Sequence, residues 1–524
     1  MKRFFLSCFG LVTILCSQAV GADPASNTAT NSLVSAEKTS FKEVTSQLDP
    51  GGNLYMYLGT AQWLEGLSAK VYEFRGIVGS IPDLPEEARE NIEKGFKIAT
   101  NLIKSSGLED LSGVGVSSIA REKGYYHSKF FLHHYPGRGS GFFWNLFGQK
   151  SHSLAALDLL STNTALATFS DVDVPLLWSV LQKQAKQSGF SEVEELFDAF
   201  PEHFERATGL KWDQVLASLG GEYGFVLSLN PAKKVKIPLH GGDSSIEFPE
   251  PALMIVAKTK DDTLFNRINE LLEKTGQSVV RLDKPNLKLR SIPLPLPLPM
   301  PVVPTIASSG GYLFVASSEV IVQDALAVKA GEVPGLKSTA EFQRLAQDIP
   351  VAGNQFTFIS ERFGRTITDL QRSALESSEA TDAQKEWVNS FLDKHPGTYF
   401  YTVGGNTEQG WITVANGNQH PGALFLASAV APTAIMAAVA LPALAKAKSK
   451  AQQVKCVNNL RQIDRAKKDW ALEKNKPDDA TPKESDLLPF LKLKQFPVCP
   501  AGGDYTINPV SERPECSIDG HVLP

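Results

Sequence analysis

The sequence predicts an α+β protein: repeated α+β domains with antiparallel sheets, then one hydrophobic helix and a small C-terminal α+β module. Three observations predict it. Residues 252–331 read in the order β-α-β-β-α, and strands adjacent in sequence pair antiparallel. A strand-like run followed by helical stretches occurs at Leu54–Leu58 and again at Ala165–Phe169. Residues 421–445 carry no charge at all.

The chain begins with Lys2-Arg3, an apolar stretch from Phe4 to Cys16 and the small-residue site Val20-Gly21-Ala22. That order is the pattern of a secretory signal peptide over 1–22, cleaved after Ala22. Residues 23–50 are rich in Ser, Thr, Ala and Asn without periodicity, so they read as a flexible leader. Export leaves Cys456, Cys499 and Cys516, too few for a disulfide scaffold. At most Cys499 and Cys516 close one loop, with Cys456 left over.

The first α+β repeat is expected over 51–160. It combines LYMYL, a helix with Trp63-Leu64, and a helix opened by Asp83, Pro85 and Glu86 and closed at Gly107-Leu108. The second, over 161–345, has Leu177-Trp178, a capping box Ser191-x-x-Glu194 and a close at Gly209-Leu210. It includes the 252–331 unit: ALMIVAK, a helix with Leu264, Ile268, Leu271 and Leu272 on one face, the strands LKLRSI and GYLFVAS, and a helix ending at Gly331. A third, partial copy over 346–420 starts with QFTFIS. Between the two strands, PLPLPLPMPVVP (293–304) places proline at alternate positions, which removes alternate ladder donors and makes an extended edge or loop.

The candidate motifs carry no chemistry. His127, His133 and His134 cluster in one segment, but His133 and His134 point to opposite faces of a strand, and no HExxH or paired CxxC supports a metal. GEVPGLKST separates the Gly-Lys pair a phosphate loop needs, and GRGSG misplaces Ser140 for a nucleophile elbow. Catalytic, cofactor and metal residues are therefore all expected to be absent. A net charge of −5 argues against a nucleic-acid partner.

The 25 residues 421–445 would reach roughly 37 Å as a helix, against about 30 Å of hydrocarbon. Their Leu, Ile, Phe and Val side chains favour insertion by roughly 3–4 kcal/mol, with Pro432 opposing. The segment is read as a transmembrane helix, with a buried or interfacial helix as the alternative. The adjoining stretch, LPALAKAKSKAQQVKCVNNLRQIDRAKKDWALE, has Val454, Val457, Leu460, Ile463 and Trp470 marking one face. It resembles the first helix of type II secretion pseudopilins, and CPAGGDYTINPVSERPECSIDGH (499–521) resembles the end of a small pseudopilin head. The resemblance implies a pilin-like module over 446–524. It departs from the prepilin pattern, since Gly422-Ala423 lies far from the start and Ala427 stands where a glutamate belongs. The module therefore reads as an anchor and cap. ATGLKWDQVLASLGGEYGFVLSLNP, within 50–420, resembles exported bacterial proteins of unknown function with repeated α+β domains.

The expectation is an exported, single-pass membrane protein of the bacterial cell envelope with a non-catalytic binding or structural role. Its partners would be the membrane and other envelope proteins or pilin-like helices. A pseudopilin-related component of a secretion machinery is the alternative, and an enzyme the second alternative. The signal places 23–420 outside the cytoplasm, and Lys446, Lys448, Lys450 and Lys455 place 446–524 inside. The pilin resemblance implies an outward head with a disulfide. Charge beside a span acts directly on insertion, so Cys499 and Cys516 are expected as reduced thiols.

Overall fold

The computed structural model describes residues 39–523, except 80–85, 123, 239–244, 275, 277, 294–301, 377–380, 395–396, 419–452, 454 and 492–494. The signal peptide with its Ala22 site, most of the leader, the 421–445 segment and most of the proline run lie outside the described residues. Among the described residues no helix is long and apolar enough to cross a membrane.

Three times the chain runs strand, helices, hairpin. First comes β1 (Leu54–Gly59), then helices Leu67–Gly79 and Glu86–Ser106, then the hairpin β2 (Leu111–Glu122) and β3 (Tyr125–His134). A short strand β4 (His152–Ser153) precedes the second pass: β5 (Thr164–Asp171), helices Val174–Gln187 and Ser191–Thr208, and the hairpin β6 (Leu219–Pro238) and β7 (Ser245–Thr259). Helix Thr263–Lys274 then leads to β8 (Val280–Lys284), β9 (Leu287–Ser291), β10 (Thr305–Ser309), β11 (Tyr312–Ala316) and helix Glu319–Lys329. After β12 (Ala352–Gly353) the third pass is β13 (Gln355–Ile359), helices Glu361–Glu376 and Asp382–Lys394, and the hairpin β14 (Phe400–Thr407) and β15 (Gly410–Gly417).

In each pass the first strand pairs with the first strand of its own hairpin. The passes join edge to edge into one 13-stranded sheet, β1-β2-β3-β15-β14-β13-β5-β6-β7-β11-β10-β9-β8, and every neighbouring pair is antiparallel. The molecule is thus α+β with antiparallel pairing throughout its main sheet.

Period-two alternation explains which face carries the core. Phe356, Phe358, Tyr401, Val403, Val414, Phe169, Val226, Met254, Val256 and Phe314 all point to one side and are nearly inaccessible. Leu157, Leu159 and Leu160, helix Glu319–Lys329 through Ile321, Val322 and Ala325, and Phe342 with Leu345 cover them. Burying each such side chain contributes about 1.5–3 kcal/mol. Phe169 stacks on Phe356 with centroids 5.1 Å apart. Its ring lies across Gly224, where an added Cβ would come within 2.2 Å of it. No side chain fits at 224.

Three local expectations are corrected. The Ser191–Glu194 box does not form: the helix starts at Ser191 itself, with Phe190 in the cap position and no side-chain cap. Ser188 instead turns back onto the Ala185 carbonyl, and Gly189 at φ +74° redirects the chain. The 252–331 unit holds two more strands than its apolar runs suggest, because β8 and β10 are polar sequences paired to β9. The run FFWNLF (142–147), which its apolar composition suggests as an exposed surface for a partner or lipid, is partly interior: Trp144 is 3% exposed and donates to the Gly107 carbonyl at 2.8 Å.

At the C-terminus, residues 455–474 are helical. Ile463, Ala466, Trp470 and Ala471 face Leu487, Leu491 and Val510 in a small separate core. Lys467, fully buried beside them, donates to the carbonyls of Ile507, Pro509 and Glu512 at 2.8, 2.9 and 2.6 Å. Its ammonium therefore folds the 507–512 loop around itself. A two-stranded sheet, β16 (Tyr505–Thr506) with β17 (Glu515–Cys516), completes the module.

Candidate ligand cavity

A cavity of ≈ 400 Å³ opens where β5 ends and β6 begins, within the range of small-molecule sites. His152, Asp171, Asp173, Glu222, Tyr223 and Lys258 are among its lining residues. The local sequence builds it. Gly220 and Gly221 interrupt the β6–β7 register between Leu219 and Tyr223, and Gly221 sits at φ +91°. The freed Gly221 carbonyl accepts from Val172 at 2.7 Å, which bends the chain away after β5.

Asn354, 2% exposed, holds the opposite wall. Its Nδ2 donates to the Lys150 carbonyl at 2.8 Å and to Asp171 Oδ2 at 2.9 Å, while its Oδ1 accepts from the Asn406 amide at 2.8 Å. Gly148 passes so close that a Cβ there would lie 2.4 Å from Asn354 Nδ2 and 2.7 Å from Asp171 Oδ2, and its φ is +91°. His152, on β4, thereby sits over Asp171, with Nε2 2.8 Å from Oδ2.

The protonation of His152 is set by its partners. Its Nδ1 faces the Ser153 carbonyl at 2.9 Å, and a carbonyl can only accept. Its Nε2 faces a carboxylate. Both nitrogens face acceptors, which favours the protonated ring. Burial disfavours that charge, but the Ser153 carbonyl and Asp171 outweigh it and hold the pKa above the ordinary imidazole value.

The carboxylates are similarly committed. Asp171 accepts from His152 and Asn354, and Asp173 caps the next helix through the Leu176 amide at 2.9 Å. Glu222, 5% exposed, accepts from the Tyr312 hydroxyl at 3.0 Å. Burial pushes its pKa up, against the opposing pull of Tyr312 and Lys258. Burial likewise raises Tyr223 to about 12, and its hydroxyl has no partner among the described residues.

The three histidines of the 125–134 strand go to three neighbourhoods. His127 Nδ1 donates to Asn416 Oδ1 at 2.7 Å, His133 Nδ1 lies 2.6 Å from Ser112 Oγ, and His134 packs edge-on against Trp144. The Cys499 and Cys516 sulfurs lie 3.7 Å apart without a bond between them, and Cys456 lies alongside. The cavity residues His152, Asp171 and Glu222, and Asn354 that holds Asp171 from behind, form no motif in the sequence. Only the Gly220-Gly221 doublet ahead of a glutamate marks the place.

No protein-family model matches the chain, and no curated protein or solved structure matches it.

Proposed function

We propose that the chain is an exported, membrane-anchored envelope protein whose large sheet domain binds a small polar ligand without turning it over. The observation that carries the non-catalytic part is the commitment of His152. Its ring is held between the Ser153 carbonyl and Asp171, and Asp171, Asp173 and Glu222 each already hold a structural hydrogen bond, so these polar groups are engaged with one another and with the backbone. What remains to meet a ligand includes the exposed Lys258 and Lys260, which suits a molecule bearing an acidic group. The signal-peptide pattern over 1–22 and the uncharged segment 421–445 support export and anchorage.

Native mass spectrometry of the detergent-solubilised full chain tests this reading. The expected result is a retained small acid that the Lys258→Ala, Lys260→Ala double variant loses while keeping its melting temperature. Chemical conversion of such a ligand by the purified protein would refute it. A pseudopilin-related role is the second reading. It is favoured by the helix 455–474, whose apolar face organises the small C-terminal core. Co-isolation of other pilin-like chains from membranes tests it.

A further inference from the structure

We infer that Cys456, Cys499, Cys516 and His521 form a tetrahedral zinc site that ties the C-terminal module together. One sulfur or ring nitrogen from each lies within 4.8 Å of the other three, and all but Cys516 are buried. The spacing is that of metal ligands. A tetrahedron with zinc–sulfur arms of about 2.3 Å has sulfur–sulfur edges of about 3.8 Å. Cys499 and Cys516 lie 3.7 Å apart, and Cys499 Sγ lies 3.8 Å from His521 Nδ1. A disulfide would need its sulfurs about 2.05 Å apart and would leave Cys456 and His521 facing it without a role.

Three chain segments are shaped to bring the ligands in. Cys456 stands on the first turn of the described part of the 455–474 helix, one turn before Leu460. Cys499 begins a turn closed by the Gly502 amide donating to its carbonyl at 3.0 Å, with Gly502 at φ +84°. His521 ends a similar turn, its amide donating to the Ile518 carbonyl at 3.1 Å, with Gly520 at φ +77°. Gly503 packs against the site so closely that a Cβ would stand 2.9 Å from Cys516 Sγ.

The surroundings suit three thiolates. The backbone amides of Ala501 and Gly503 hydrogen-bond to Cys499, and the Tyr505 hydroxyl donates to Cys456 Sγ at 3.4 Å. Tyr505 is itself fixed by Asn459 Nδ2 at 3.1 Å. Three sulfurs and one imidazole in a closed tetrahedral arrangement are the ligand set of structural zinc, with no open position for a substrate. On binding, each thiol releases its proton to water and His521 coordinates as the neutral ring. A module of some 70 residues with a small core gains its stability from such a staple.

The test uses the full chain, reduced under anaerobic conditions and freed of metal, then titrated with zinc and separately with cobalt. Uptake of one zinc per chain is expected, as are the visible bands of tetrahedral cobalt with thiolate charge transfer. Tyr505→Phe should keep the stoichiometry and bind about 10- to 100-fold more weakly. His521→Ala leaves three thiolates with water in the fourth position, so it should keep the charge-transfer bands, shift the visible cobalt bands and bind the metal more weakly. Failure of the wild-type chain to take up zinc or cobalt would overturn the inference. So would a Cys499–Cys516 disulfide in protein taken directly from cells, or iron as the metal found there.

Discussion

Three buried positions, Lys467, His127 and His133, decide much at the residue scale. Lys467 fills the hydrogen-bonding capacity of its ammonium with loop carbonyls. Replacing it with Met keeps the stem but leaves those carbonyls buried and unmet, at about 1–3 kcal/mol for each lost partner. Lys467→Met should therefore lower the unfolding free energy of the C-terminal module by at least about 3 kcal/mol, read by denaturant titration of Trp470 fluorescence. His127 and His133 make a pH prediction. Burial, the largest cause for each, holds both below the ordinary value of 6.5. The unfolded chain then binds protons more readily, so their contribution is present above about pH 6.5 and is lost as pH falls through the folded values. His152, held above its ordinary value, works oppositely: its contribution is full below about pH 6.5 and fades as pH rises. Melting temperature should fall on acidification below about pH 6.5, and the His127→Gln variant should show a shallower fall. An unchanged slope would mean that other groups set the acid limit.

At the element scale, the repeated pass of strand, helices and hairpin positions the cavity, and the Gly148 crossing holds its wall. Gly148→Ala puts a methyl where Asn354 and Asp171 meet and strains a left-handed backbone. It should release His152 from Asp171, which NMR would read as an imidazole pKa returning toward about 6.5. Much of the fold is legible in the sequence at this scale. LYMYL, ALMIVAK and QFTFIS carry apolar runs or alternation dense enough to mark strands, and Leu460, Ile463 and Trp470 mark a helix face. VRLDK and TIASS are not legible, since their strand character comes from pairing with β9 rather than from their own side chains. The cavity is opaque for the same reason. His152, Asp171, Glu222 and Asn354 meet only after β13 inserts between β14 and β5, a pairing that no local pattern encodes. Cys499, Cys516 and His521 share a legible short stretch, but Cys456 joins them from far upstream on a helix, so a search for paired CxxC motifs passes over the set.

At the scale of the whole molecule, one sheet of 13 strands gathers all three passes, and its edges differ. β8 carries Arg281 and Lys284, charges that discourage pairing with another chain. β1 instead exposes Tyr55, Met56 and Leu58 beside Trp63. An exported protein attached by 421–445 would carry that sheet outside the cytoplasm and the 446–524 module on the other side. Protease added to intact spheroplasts tests this most directly. The reading predicts a membrane-bound protein with a mature N-terminus at Asp23, residues 23–420 digested, and a protected fragment that begins near 421 and reaches the C-terminus. Full-length protein recovered in the soluble cytoplasm, still beginning at Met1 and untouched by protease, would contradict it.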